Sequence, residues 1–338
     1  MPAAHIVIVT AMVDPHADVI VKALGELGHE PVRLNLSDVP GEATLTAELA
    51  TGRWQGRLRI ETNGRAIDWD AVTAVWWRKP AGYGLPPELS EWEREFAEEE
   101  LDHALRGMWA TLDCYWMSRP EAIASASYKV EQLARAARLG FDVPHTIVTS
   151  DPAHAREFYR QSAGRVVYKV LTDPFLMRAR TLRRHPDADC ALLSVTTTLL
   201  GDAELENLKT VRTVPCLFQE YVEKHSEFRV TVIGDDVFVA EIDSQSCPES
   251  RVDWRVAFGR PAPFRASRLP ADVLDRCVAL VRSYGLEFSA LDLILTPDGR
   301  YVFLENNPNG QFLFVEERAP DLRMAQAMAA RLIRGKGR

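Results

Sequence analysis

The chain has 338 residues, of which 46% are hydrophobic and 26% charged, and its formal net charge is −8. This is the composition of ordinary folded protein. The acidic balance argues against nucleic acid as a general partner, and no apolar run of membrane-spanning length occurs. The five cysteines, Cys114, Cys190, Cys216, Cys247 and Cys277, form no CxxC or Cys/His cluster. That pattern fits a reducing cytoplasm and argues against structural zinc.

The run His5–Thr10 (HIVIVT) reads as a buried first strand. No basic region precedes it, so it is not read as a secretion signal. A helix over about Asp18–Leu27 and a strand over Glu30–Leu34 complete a β-α-β opening, the start of an open α/β sheet. The first strand is not followed by GxGxxG, which disfavours a dinucleotide site. Thr44–Glu61 reads as a hairpin and Ala71–Trp77 as another central strand. Arg78 and Lys79 follow at the sheet edge where such folds bind ligands; they face either an anionic substrate or solvent. Glu88–Leu112 is a long helix with an acidic solvated face. A domain boundary falls near Ser118-Arg119-Pro120.

The middle of the chain reads as helix (Ala124–Leu139), strand (Thr146–Thr149), helix (Pro152–Ser162) and strand (Arg165–Val170). Lys129 sits in the opening turn of the first helix, where a cation is unfavourable unless an anion lies nearby. Lys169 sits among apolar strand residues, so it either snorkels outward or is drawn to a buried anion. An irregular stretch with Arg178, Arg180, Arg183 and Arg184 leads to a strand (Ser194–Leu199) and a short acidic helix around Asp202–Leu208. Strand Cys216–Val222 and a hairpin turning at Gly234-Asp235 come next. A helix over Leu269–Tyr284 precedes a second hairpin, and a helix over Glu316–Ile333 closes the chain.

That second hairpin, within Leu286–Gly310, is the most informative stretch. Asp298-Gly299 between β-prone runs signals a tight turn. A two-residue loop would set Leu295 opposite Val302, Leu293 opposite Leu304, and Asp292 opposite Glu305, with Asn307 on the face of Glu305. Directly opposed residues have Cβ atoms roughly 4.5–5.5 Å apart. Two carboxylates that close call for compensation, and a hard cation such as Mg²⁺ supplies it. The alternative is a pair of acids on a solvated face.

In order, the pieces are a lysine opening a helix, a lysine on a strand, Gln219-Glu220-Tyr221-Val222 ending a strand, Glu227-Phe228-Arg229, Asp292, and Glu305-x-Asn307. Together they resemble the ATP-grasp enzymes. The resemblance implies an α/β (α+β) ATP-grasp fold: an N-terminal open α/β pre-ATP-grasp domain (1–118), a central lid lobe (119–222) with an inserted hairpin-helix at about 178–213, and a C-terminal lobe (223–338). It implies that Lys129 and Lys169 neutralise ATP phosphates and that Gln219, Glu220, Tyr221 and Val222 form the adenine hinge. Glu227 would take the ribose hydroxyls. Asp292, Glu305 and Asn307 would bind two Mg²⁺ ions, and Arg229 would steady the transferring phosphoryl group.

Within that superfamily WWRKP (Trp76–Pro80), FQEYVEKHSEFRVTVIGDDVFVAEIDSQ (Phe218–Gln245) and LDLILTPDGRYVFLENNPNGQF (Leu291–Phe312) resemble the graspetide, or microviridin-type, peptide macrocyclases. The resemblance implies a cytoplasmic, dimeric enzyme acting on a ribosomal precursor peptide with a leader. Glu or Asp side chains would be activated as acyl phosphates and attacked by Ser, Thr or Lys to give ω-esters or ω-amides. The insertion would hold the leader, through Asp202, Glu204 and Glu206 unless these simply build a helix. Two features depart from the group: Glu227 stands where Asp is common, and no glycine-rich phosphate lid follows Lys169, which leaves Arg178 or Arg180 as the substitute. Two other reaction classes compete: a carboxylate–amine ligase for free amino acids or a short peptide, and a polyol phosphotransferase, whose anionic substrate would want a more basic chain.

Overall fold

The computed structural model describes residues 5–61, 64–172, 197–256 and 262–335. Four parallel strands, β1 (His5–Thr10), β2 (Val32–Asn35), β6 (Val72–Trp77) and β7 (Tyr115–Met117), form the first sheet in the order β2-β1-β6-β7. Near-continuous apolar runs suit parallel strands covered on both faces. Helix α1 (Pro15–Glu26) begins behind Asp14, whose side chain accepts the His16 backbone N–H, and buries Ile20 and Leu24. The expected hairpin is present as β3 (Ala43–Ala50) and β4 (Arg53–Ile60), and β5 (Arg65–Asp68) extends it.

Strands β8 (Thr146–Thr149), β9 (Val166–Lys169), β10 (Thr198–Leu199) and β11 (Cys216–Glu220) form an antiparallel second sheet in the order β10-β9-β11-β8. The third sheet is also antiparallel. It orders β14 (Phe264–Ala266), β13 (Asp236–Ile242), β12 (Ser226–Ile233), β15 (Phe288–Leu295) and β16 (Tyr301–Asn307) from edge to edge. Ile6, Ile8 and Trp76 of the first sheet share one core with Ile233, Phe288, Phe312, Met328 and Leu332. Ser118, at the end of the first sheet, accepts the backbone N–H groups of Glu287 and Phe288, each at 3.1 Å. The first and third sheets are therefore packed as one body. Among the described residues no helix is long and apolar enough to cross a membrane.

Three expectations need correction. The helix expected over Ala124–Leu139 is two helices, α3 (Pro120–Ser125) and α4 (Lys129–Arg138). At the break the Gln132 side chain donates to the Ala126 carbonyl (2.6 Å) and to the Asn306 carbonyl (2.8 Å), so a side chain supplies the donor a continuous helix would have provided. The closing helix is also split, into Leu313–Arg318 and Met324–Arg334. Pro320 has no N–H to donate and Arg323 takes a left-handed φ of 47° between the two pieces.

The third correction concerns the informative hairpin. Thr296 N–H donates to Arg300 O (3.0 Å) and Gly299, at φ 88°, donates back to Thr296 O (3.0 Å). The loop is thus three residues long with glycine in the left-handed position. Leu295 faces Tyr301 and Leu293 faces Phe303, one residue away from the expected register. A bulge at Leu304 absorbs the difference, and Asp292 faces Glu305 after all.

Candidate active site

A cleft of about 1720 Å³ opens between the sheets, and Lys129, Lys169, Gln219, Glu227, Arg229, Asp292, Glu305 and Asn307 all line it. Residues from six separate elements meet there. Lys129 is the first residue of α4, and its ammonium donates to the Val170 carbonyl (2.8 Å) and lies 3.6 Å from Glu305 Oε2. The anion its position called for is therefore the Glu305 carboxylate. Asn307 Nδ2 donates to Asp292 Oδ2 (3.1 Å) and to Glu305 Oε1 (3.2 Å). Arg229 Nη1 meets both Asp292 oxygens at 2.8 and 2.9 Å, and Nη2 donates to the Gln311 carbonyl at 3.2 Å.

These contacts set the charge states. Burial, opposed by Arg229 and reinforced by Glu305, pushes Asp292 up to about 6. Burial acts the same way on Glu305, but Lys129, Arg255 and Lys169 outweigh it and hold that carboxyl well below the usual range. Burial pulls Lys169 down to about 8; Glu305 opposes the shift, while Arg255, Lys129 and Lys224 add to it. Two neighbouring acids driven apart, beside Lys129, Lys169 and Arg255 sharing the one Glu305 carboxylate, describe a site prepared for added charge of both signs.

Two observations test whether a magnesium nucleotide fits. No three His, Cys, Asp or Glu side chains cluster as a metal site among the described residues. A cation here would rest on Asp292, Glu305 and the Asn307 amide oxygen, the remaining ligands coming from phosphates and water, as Mg²⁺ prefers. Turning the Asn307 amide by 180° presents its oxygen to the same point, which converts a brace into a ligand. The buried Arg229 Nε also has no hydrogen-bond partner. The residues fit the group.

A model of the MvdD pre-ATP-grasp domain matches residues 5–124. No match occurs among curated proteins. Among solved structures, the macrocyclase MdnC of Microcystis aeruginosa MRC, bound with its precursor peptide MdnA, is 27% identical at a TM-score of 0.81, covering 97% of this chain and 99% of its own. The RiPP-associated ATP-grasp ligase of Chryseobacterium gregarium, in complex with ADP and a leader and core peptide, is 26% identical at 0.83, covering 98% and 96%. The macrocyclase MdnB of Microcystis aeruginosa MRC is 29% identical at 0.78, covering 98% and 99%. Fold and likeness are those of an enzyme of the ATP-grasp ligase type.

The rest of the ligase's candidate residues separate by position. Gln219 is buried and donates to Thr146 Oγ1 (2.9 Å), so its side chain is already committed; Tyr221 and Val222 line the cleft, and Glu220 is exposed at its rim. Glu227 is buried and salt-bridged to Lys224 at 3.0 Å. Arg78 and Lys79 both line the cleft, and Arg78 is already engaged by the protein itself. It is 2% exposed and donates to the carbonyls of Asn309 (2.5 Å) and Gly310 (3.1 Å), with Asp14 at 3.5 Å. Its work is to tie the first sheet to the loop after Asn307. Glu204 caps its own helix through the Gly201 N–H (2.9 Å), while Asp202 and Glu206 are exposed; all three lie outside the cleft lining. Arg178 and Arg180 lie outside the described residues.

Two cleft residues escaped the sequence reading. Lys224, in the link between β11 and Glu227, is buried, pairs with Glu227 and donates to the Val252 carbonyl at 2.8 Å. Its spacing of three from Glu227 was the available signal. Arg255 lies 3.7 Å from Glu305 Oε1 and sits in a short 3₁₀ turn that no periodicity announces.

Proposed function

We propose that the ligase activates Glu or Asp side chains of a ribosomal precursor peptide with ATP and Mg²⁺, as acyl phosphates. Ser, Thr or Lys side chains of the same peptide then close ω-ester or ω-amide rings. The observation that carries this reading is the convergence of Asp292, Glu305 and Asn307 with Lys129, Lys169 and Arg229 in one cleft. Likeness over nearly the full chain to ligases crystallised with precursor peptides supports the peptide as substrate. Asp292, Glu305 and Asn307 would hold the metal, whose contribution is charge neutralisation on the phosphates. Lys129 and Lys169 bind phosphate oxygens. Arg229, braced against Asp292 and the Gln311 carbonyl, places its guanidinium charge beside the reacting centre.

The ribose acceptor in this reading is Glu227, held in position by Lys224, and the adenine hinge is Gln219–Val222. The exposed acids Asp202 and Glu206 pair with a basic leader residue. The chain divides at 1–118, 119–222 and 223–338, and the middle segment lends α3 and α4 to the third sheet. The enzyme acts as a cytoplasmic homodimer, which light scattering on the purified protein would check. The deciding experiment incubates purified ligase with ATP, Mg²⁺ and the short peptide encoded beside it. The expected product is lighter by one water per linkage, with ADP formed in step. An unchanged peptide mass while ATP is consumed would sink the macrocyclase reading and favour another acceptor.

A further inference from the structure

The segment after β13 lines the cleft with Val252, Asp253, Trp254 and Arg255. It is fastened at three points. Ser250 Oγ donates to the Ser244 carbonyl (2.7 Å), Lys224 to the Val252 carbonyl (2.8 Å), and Trp254 packs against Phe264 and Phe314 at ring distances of 5.6 and 5.5 Å. On this fixed backbone Asp253 is 5% exposed, while the Arg255 side chain is 48% exposed. A buried carboxylate is costly unless it is paired. Asp253 takes the Thr197 backbone N–H (3.1 Å), the Arg255 backbone N–H (3.1 Å), and both Nε and Nη2 of Arg255 (2.8 Å each).

This arrangement is unusual for a half-exposed arginine, whose side chain ordinarily samples many rotamers. Two of its three nitrogens are clamped by one carboxylate in fork geometry. The third, Nη1, points at Glu305 Oε1 from 3.7 Å, while Lys129 faces the other Glu305 oxygen from 3.6 Å. Two cations thus bracket one acid at the site where the phosphates belong. A metal on Glu305 would compete for its oxygens and leave Nη1 aimed into the cleft. We propose that Arg255 binds the terminal phosphates of the nucleotide, and that Asp253 is the positioning residue that aims it. This fills the place of the missing glycine-rich lid with a guanidinium held on the C-terminal lobe. The bond from Asp253 to the Thr197 N–H also couples that guanidinium to the neighbour of β10 in the second sheet, so binding and the setting of the two lobes are linked.

The inference rests on the ATP reading above. Its test is calorimetric binding to the full chain, with AMPPNP–Mg²⁺ and adenosine as probes and no turnover involved. Arg255→Ala should weaken AMPPNP by about tenfold or more, the scale of one charge-assisted hydrogen bond, and leave adenosine unchanged. Asp253→Asn should weaken AMPPNP with the same selectivity. The double variant should bind no more weakly than Arg255→Ala alone, because Asp253 acts through Arg255. Unaltered AMPPNP affinity in Arg255→Ala, or an equal loss for adenosine, would overturn the assignment. Additive losses would overturn the role of Asp253. If the parent protein binds adenosine but no AMPPNP, the ATP reading itself fails, and the assignment with it.

Discussion

Lys169 gives the sharpest prediction because its charge is not settled in the nucleotide-free site. Burial and three neighbouring cations lower it from 10.5 to about 8. At about 1.4 kcal/mol per pH unit, the protonated form is disfavoured by about 3 kcal/mol relative to water. A lowered folded-state value means that the folded protein prefers the neutral amine. The associated stability is present at high pH and is lost as pH falls through about 8. Nucleotide binding has the opposite requirement, since phosphates need the ammonium and should restore an ordinary lysine value. Affinity is then nearly flat below pH 7 and falls as pH rises above 8, by about tenfold at pH 9, because binding must take up a proton. The assay is calorimetric titration of ADP–Mg²⁺ between pH 7 and 9 in two buffers of different ionisation enthalpy. ADP suits it because its phosphates are essentially ionised over that range. Lys169→Arg keeps the charge and should flatten the profile. An affinity independent of pH, or a slope that survives in Lys169→Arg, would show that this lysine does not meet the phosphates.

Glu305→Gln and Asp292→Asn should each abolish ADP formation while the thermal unfolding midpoint shows a folded protein; turnover by either variant would remove the metal role. Lys224→Met strands the Glu227 carboxylate in a buried position and should cost about 3 kcal/mol. Chemical denaturation would read that loss, and an unchanged midpoint would mean that Glu227 finds another partner. Arg78→Met removes the donors to Asn309 and Gly310, so it should lower stability and kcat together without changing adenosine affinity; a pure KM effect would return Arg78 to substrate contact.

Elements with strong local signals were legible. Strand β8 falls where alternation placed it, and the Gly234-Asp235 turn joins Ile233 to Asp236 as expected. Lys129 does open a helix, although that helix begins afresh there instead of continuing from Pro120. What periodicity could not show was substitution of backbone by side chain. Gln132, reaching across to Asn306 and back to Ala126, ends one helix and starts another without any glycine or proline to mark the spot. Strand β7 is only three residues long, too short for alternation to register, yet its three side chains are buried. Arg78 looked like a ligand cation because it follows a parallel strand. Its partners are mainly backbone carbonyls some 231 residues away, a kind of bond that leaves no trace in residue type.

The hairpin shows how a site can be legible when the path to it is misread. With a three-residue turn and no correction, Asp292 would face Leu304, and Glu305 would point to the opposite face of the sheet, where the Asn306 side chain meets Ser289 at 2.6 Å. One extra residue in the loop is offset by one extra residue in the strand, so parity is restored where the acids meet. A bulge weakens the ladder locally, and here it falls between the last apolar pair, Leu293 and Phe303, and the first charged one, Asp292 and Glu305. Everything on the turn side of it is a hairpin packed for stability. Everything beyond it holds two acids close enough that each shifts the other's protonation. That opposition raises the energy of the nucleotide-free site, and the loop-side irregularity leaves it intact. Opposed carboxylates are thus a property the fold preserves at a cost in ladder regularity, as expected if a cation is what relieves them.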